Sequence, residues 1–229
     1  MAGNLIGPRE VYERLWSEAA DAFERGGPRL DPFLLNRGGD RRRGVTLVAR
    51  PDAEVRARVE DFLRAAAATA PDQHFYQPAE LHLTVYSVIP GSTAWGESVR
   101  RLPEYMGALD DALKQRPAFS VAFRGVTASP EAVMIQGFPA GDELRKLRDE
   151  LASRSVADTL ARRYKLVAAH LTVIRFTTPM GDWTPLRKFL ASHRNTDFGE
   201  SRFGTLELIE SDWYASAGSV RTLRVYPLV

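Results

Sequence analysis

The sequence predicts an α+β fold built of two related lobes, and three observations carry that prediction. The tetrapeptide His-Leu-Thr-Val occurs twice, beginning at His82 and at His170. Each copy lies in an apolar run rich in Val, Leu and Ile, Leu81 to Ile89 and Leu166 to Phe176, of strand rather than helix length. Each run also closes the same succession of strand, amphipathic helix and motif strand, with no linker-like or low-complexity segment between the two halves. The order reads as one compact unit with an internal repeat.

Taken along the chain, residues 8 to 25 read as an amphipathic helix with Tyr12, Leu15, Trp16, Ala19 and Phe23 on one side, ended by Gly26-Gly27-Pro28. This helix is expected to pack on the outside of the main domain, as a lid or partner contact in the livelier alternative. Residues 31 to 43 read as a loop containing Gly38-Gly39. Its charged run Asp40-Arg41-Arg42-Arg43 suits a solvated face, with phosphate binding as the other option. Val45 to Ala49 is a strand closed by Pro51. Asp52 then caps a helix that carries Val55, Val59, Phe62, Leu63 and Ala66. After the first motif strand the chain turns at Gly91-Ser92, and Pro103 starts a helix with Met106, Leu109 and Leu113. Phe119, Val121 and Phe123 alternate as a strand. With a turn at Ser129-Pro130 and the run Ala132 to Phe138 it forms a hairpin. Asp142 caps a helix with Leu144, Leu147 and Leu151, and the second motif strand follows. Thr184-Pro185 opens a short helix through Leu190, and strands at Phe203 to Glu210 and Val220 to Tyr226 finish the fold.

Residues two apart in a strand share a face. His82 and Thr84 therefore point one way, as do His170 and Thr172, while Leu83, Val85, Leu171 and Val173 anchor the other side. A single His-x-Thr is ordinarily a half-buried histidine. Its repetition in a chain with only 4 histidines points instead to a catalytic imidazole and hydroxyl presented twice. Tyr86 continues the first face and is a candidate for stacking on a base, with core packing equally open. A metal site is not expected, because the motif lacks a second strong ligand, there are no cysteines, and no His-x₃-His spacing occurs.

The tandem motif resembles that of the two-histidine (2H) phosphoesterase superfamily, which includes 2′-5′ RNA ligase-like proteins and cyclic nucleotide phosphodiesterases. The resemblance extends from about Gly44 to the C-terminus, including Pro78-Ala79-Glu80-Leu81 as a lead-in and Arg175 as the end of a His-x-Thr-x-x-Arg pattern. Two departures stand out: Val220 occupies the place of a tyrosine frequent in the ligase-like members, and about forty residues precede the first family-like strand. The resemblance implies two pseudo-symmetric lobes with antiparallel or mixed sheets and outer helices. The two His-x-Thr strands would form opposite walls of a central cleft. It also implies a phosphate contact for Arg175, which plain strand parity would turn away from the cleft unless a bulge re-aims it. The division expected is an appendage over 1–43 and a single bilobal domain over 44–229.

The chemistry implied is hydrolysis of a cyclic phosphate or phosphodiester, with a 2′,3′-cyclic phosphate on a nucleotide or RNA end favoured. One histidine would take a proton from water while the other protonates the leaving oxygen, either ring taking either role. Thr84 and Thr172 would donate to the non-bridging oxygens. The reverse reaction would join RNA ends. A binding module without turnover, or a hydrolase of cyclic oligonucleotides or other cyclic sugar phosphates, are the alternatives. No cofactor is expected. Composition agrees with a small phosphate ligand: a net charge of +2, despite a pI of about 9.0, is not that of a protein gripping long nucleic acid. Without a membrane-length apolar run or a signal-like N-terminus, the expectation is a cytoplasmic monomer.

Overall fold

In the computed structural model, which describes residues 7–36, 39–154 and 168–229, one antiparallel sheet of nine strands organises the chain. Leu166 and Val167 of the second apolar run, and Gly38 of the loop, lie outside the described residues. Strands β1 (Arg43–Ala49) and β3 (Leu83–Ser92) join β8 (Thr205–Asp212) and β9 (Arg221–Pro227) in the order β3-β1-β8-β9. Strands β4 (Phe119–Ser129), β5 (Ala132–Pro139), β6 (Leu171–Arg175) and β7 (Asp197–Phe203) form the other half in the order β6-β5-β4-β7. Each half is a four-stranded lobe edged by its own motif strand. The lobes meet where β3 faces β6, joined by a single paired position, Leu83 opposite Leu171. The short β2 (His74–Phe75) adds to the far end of β6. The sheet curls into a half-barrel.

The two motif strands are thus antiparallel neighbours at the centre of one sheet, and the cleft walls diverge from their shared bridge. Sequence order alone carries no information about which strand edges meet, so this contact had no local signal.

Helices pack against the sheet. They are α1 (Pro8–Glu24), α2 (Pro32–Leu35), α3 (Ala53–Ala67), α4 (Trp95–Val99), α5 (Leu102–Leu113), α6 (Glu143–Ser153) and α7 (Thr184–Ser192). None among the described residues is long and apolar enough to cross a membrane. Their apolar stripes and the inward residues of the sheet form the main core, including Val55, Val59, Leu109, Leu144, Leu147 and Leu190. The Asp52 carboxylate accepts the Val55 N–H at 3.1 Å, capping α3 as its sequence predicts. A smaller cluster of Val48, Ile209 and Ala215, with Val220 against it, fills the opposite face beneath the β8–β9 connection.

α1 packs by one face, as its amphipathic pattern predicts: Tyr12 and Ala19 are fully buried, and Phe23 packs edge-on against Phe176. Several other sequence expectations need correction. The Asp40–Arg43 run is not a solvated face, because Arg42 pairs with Asp40 and Arg43 with the buried Glu210. Strand β7 was hidden by its composition, since Asp197-Phe198-Gly199-Glu200 holds few β-formers and Gly199 has φ +93°. The N-cap of α7 is Trp183, one residue before Thr184, and Asp142 is the N-cap of α6 but makes no side-chain cap bond.

Candidate active site

Both motif strands carry a bulge at the same place. In β3, Thr84 lies opposite Val48 and Tyr86 opposite Leu47, which leaves Val85 as the extra residue. In β6, Thr172 lies opposite Met134 and Ile174 opposite Val133, which leaves Val173. A bulge adds one residue to one strand and reverses the parity of everything beyond it. His82 and Thr84, and likewise His170 and Thr172, keep the shared face predicted from the sequence, half-buried between fully buried Leu83, Val85, Leu171 and Val173.

Beyond the bulges the expectations divide. Arg175 is turned onto the histidine face, opposite Ala132 and His74, as the bulge alternative required. Ser87 arrives at the equivalent position in the first lobe, also five residues past its histidine. Tyr86 does not: it shares the face of Leu47, is 8% exposed and belongs to the main core. Of the two roles open to Tyr86, core packing is the one the structure shows, because the bulge at Val85 turns its side chain away from the histidine face. Around the single bridge, one antiparallel step in each direction sets His82 opposite Thr172 and Thr84 opposite His170.

Arginines hold the chain beside each histidine. Arg148, on α6 and 8% exposed, donates from Nε to the Val85 carbonyl at 3.0 Å and from Nη2 to that of Thr84 at 2.8 Å. Its Nη1 donates to the Ala168 carbonyl at 3.1 Å. One planar fork thus spans both motif strands where the sheet ladder is reduced to one position. Arg50 plays the matching part in the first lobe, with longer contacts of 3.3–3.4 Å to the carbonyls of Ala79, Glu80 and Leu81. Tyr12 reaches in from α1. Its hydroxyl donates to the Gly137 carbonyl at 3.0 Å and accepts the N–H groups of Gly137 and Ala169, each at 3.1 Å. Burial raises the Tyr12 pKa to about 12, so this hydroxyl stays a neutral strut. Gly137 is required here, since a Cβ would meet the Ala169 carbonyl oxygen at 1.7 Å.

The rings differ in their hydrogen bonding. His82 donates from Nδ1 to the Glu80 carbonyl at 2.7 Å, which fixes the tautomer and leaves the Nε2 lone pair available. His170 Nδ1 has no hydrogen-bond partner among the described residues. Burial lowers the pKa of both histidines, and for His170 the value falls to about 4, with Arg148, His82 and Arg175 adding to the effect of burial. Both rings are neutral at pH 7 in the free protein.

Arg175 acts electrostatically on both rings. It is held by its Nε donating to the Tyr76 hydroxyl at 3.1 Å, and its guanidinium lies 5.7 Å from the Tyr214 ring centroid. The Tyr76 N–H in turn binds the carbonyl of the bulged Val173 at 3.0 Å, so one residue secures both the bulge and the arginine it re-aims. Sequence reasoning missed Ser87, Tyr12, Tyr76, Arg148 and Tyr214. Two of these had a usable signal: Ser87 sits at the position that Arg175 holds in the other repeat, and Arg148 falls in the apolar stripe of Leu144, Leu147 and Leu151. His193, given no role from sequence, packs against Phe189 and Phe62 beside α7. Among the described residues, no three His, Asp or Glu side chains converge as a metal site requires.

The arrangement has solved counterparts. The chain superposes on TT0787 of Thermus thermophilus with a TM-score of 0.56 at 17% identity, covering 80% of this chain and 97% of that one. Against E. coli LigT complexed with 3′-AMP the TM-score is 0.52 at 15% identity, covering 82% and 99%. A structure described as a phosphoesterase gives 0.53 at 15% identity, with the same coverage. No protein-family profile and no curated protein matches the chain. The fold is therefore the two-lobed fold of LigT.

Proposed function

We propose that the protein is a metal-independent phosphoesterase that opens a cyclic phosphate, with a 2′,3′-cyclic phosphate on a nucleotide or RNA end as the favoured substrate. The observation that carries this reading is the Leu83–Leu171 bridge, which sets two His-x-Thr pairs side by side on one face with Arg175 beside them. A neutral imidazole takes a proton from water as its oxygen attacks phosphorus. The P–O bond to the leaving sugar oxygen breaks, and the other imidazole, protonated, supplies that oxygen with a proton. Thr84 and Thr172 donate hydroxyl hydrogen bonds to the non-bridging oxygens, and Arg175 offsets their charge. Both rings are neutral in the free protein, so the bound phosphate anion supplies the proton affinity that the acid needs. With a 5′-hydroxyl in place of water as the nucleophile, the same steps join two RNA ends.

Metal independence rests on the donor set, two imidazoles accompanied by hydroxyls rather than carboxylates. The LigT structures hold 3′-AMP, ATP and NADP+, all nucleotides, which supports a nucleotide-sized substrate here. In this reading residues 44–229 form the phosphoesterase domain, and residues 1–43 attach to it and buttress the second motif.

The test is a screen of the purified protein, in chelator, against 2′,3′-cyclic mononucleotides, RNA ending in a cyclic phosphate, 2′-5′-linked dinucleotides and cyclic dinucleotides. Turnover is expected to persist without metal. His82→Ala and His170→Ala should each lower kcat ~10²–10⁴-fold, and the double variant should lose much less than the product of the two. Unchanged turnover by His170→Ala overturns the reading.

A further inference from the structure

Beyond Arg175 the histidine face continues into a cluster that the reaction does not use. The Arg42 guanidinium lies 4.5 Å from the ring centroid of Phe33 and 4.6 Å from that of Trp213. Its fork is engaged at the edge: Nε and Nη2 donate to the two oxygens of Asp40 at 2.9 and 2.7 Å, and Nη2 also reaches the Tyr214 hydroxyl at 2.9 Å. The Tyr214 hydroxyl donates a hydrogen bond to Asp31 Oδ2 at 2.9 Å, and the Asp31 N–H donates to the carbonyl of Phe176, the residue after Arg175. With its edge committed, the guanidinium is left to meet the two aromatic rings and whatever approaches them. Phe33 and Trp213 nevertheless remain 41% and 44% exposed.

A single exposed aromatic is ordinary on a protein surface. Two fixed by one buttressed guanidinium form a rigid, cationic, aromatic-edged platform, and its position relative to the site gives it a purpose. The Tyr214 ring lies 5.7 Å from the guanidinium carbons of both Arg42 and Arg175, so one ring bridges the platform to the arginine of the histidine face. The platform and the arginine that would hold a phosphate thus flank the same tyrosine ring.

We propose that Phe33, Arg42 and Trp213 form a base-binding subsite, so that the natural substrate carries an unpaired nucleobase next to its cyclic phosphate. This rests on the phosphoesterase reading for the phosphate end and adds the class of group attached to it. Aromatic faces and guanidinium planes stack unpaired bases with little regard to sequence, so the subsite favours a base over no base rather than one base over another. It also gives residues 31–42 a share in specificity that the motif-bearing part of the chain lacks.

The experiment uses the full chain and two paired probes, a nucleoside 2′,3′-cyclic phosphate and methyl riboside 2′,3′-cyclic phosphate, which lacks the base. Binding of a nucleoside 3′-monophosphate and of its base-free counterpart is measured in parallel by calorimetry. Trp213→Ala and Phe33→Ala should raise KM for the nucleoside substrate about ten- to a hundredfold, the scale of losing a stacked base. They should leave KM for the base-free substrate and kcat for both within about twofold. Trp213→Phe, which keeps a flat ring, should restore most of the loss and guards against misfolding. Equal KM values for both substrates in the wild type, or equal effects of Trp213→Ala on both, overturn the subsite. Base-dependent binding that Trp213→Ala abolishes, without turnover of either substrate, overturns the phosphoesterase reading and leaves the subsite standing.

Discussion

The Arg148 Nη2 donates to the carbonyl of Thr84 at 2.8 Å, tying the first motif strand to the helix that precedes the second. The same guanidinium also holds Ala168, two residues before His170, so its removal loosens both motifs at once. Arg148→Met leaves buried carbonyls without donors, at about 1–3 kcal/mol each. It also removes a positive neighbour that lowers the His170 pKa. The expected result is a kcat reduced tenfold or more, with the limb of the pH–rate profile that reports His170 moved to higher pH. A variant that melts earlier but keeps the wild-type profile would confine Arg148 to stability.

The depressed histidines make a prediction about pH. The profile of kcat/KM reports the free protein, in which both pKa values lie below the usual 6.5. Its maximum should therefore fall on the acid side of pH 6.5. The profile of kcat should lie at higher pH, because a bound phosphate anion stabilises the imidazolium. Steady-state kinetics between pH 3.5 and 9 would separate the two curves, and a shared maximum above pH 7.5 would contradict the burial of these rings.

Stability follows the same residue. The His170 pKa falls from 6.5 when unfolded to about 4 when folded, so the unfolded chain binds more protons between those values. Stability contributed by the buried neutral ring is present above pH 6.5 and lost as pH falls toward 4, by up to about 3 kcal/mol. Denaturant titrations should show a constant difference between wild type and His170→Gln above pH 6.5, with wild type losing stability relative to the variant as pH falls toward 4.

The bulges make a paired prediction. Arg175→Gln should raise KM for a cyclic phosphate about tenfold or more, since a hydrogen bond to a charged group contributes about 1.5–3 kcal/mol. Tyr86→Phe, on the core face, should leave both kinetic constants within twofold. A Tyr86→Phe variant with a tenfold higher KM would return that residue to the site.

Tyr12 joins α1 to the residue before His170 through the Ala169 N–H. Tyr12→Phe should destabilise the fold by about 1–3 kcal/mol, seen as a Tm lower by several degrees at about 2–4 °C per kcal/mol. Deleting residues 1–30 should have a larger effect on Tm and should lower kcat as well. Full activity and an unchanged Tm in that truncation would show that the helix buttresses nothing.

What the sequence makes legible is whatever local chemistry encodes. Period-two alternation gave the histidine face, Asp52 announced α3, and the internal repeat gave the two lobes. Illegible features were set by tertiary contacts. The bulges at Val85 and Val173 leave no mark in an unbroken apolar run, yet they decide that Arg175 faces the histidines and Tyr86 does not. Tyr12 and Trp16 sit in the same helical stripe, and nothing in that stripe tells which one anchors a strand more than 150 positions later. Arg148 falls in the buried stripe of α6, four residues after Leu144 and three before Leu151, so its spacing marks an inward-facing arginine, but only the folded sheet reveals the three carbonyls it serves.

The pairing order of the sheet also fixes a schedule. The lobe that holds His170 is assembled from β4 to β7, a contiguous stretch between Phe119 and Phe203. The lobe that holds His82 joins β1 and β3 to β8 and β9, so Arg43 must wait for Asp212. On a ribosome, β1 and β3 emerge first as a two-stranded ribbon, which is marginal alone and has an open edge. Domains generally take shape as their sequence appears. The second histidine in the sequence is therefore the first to be seated, and the nascent chain carries a half-made site with an exposed strand edge until its last hairpin arrives.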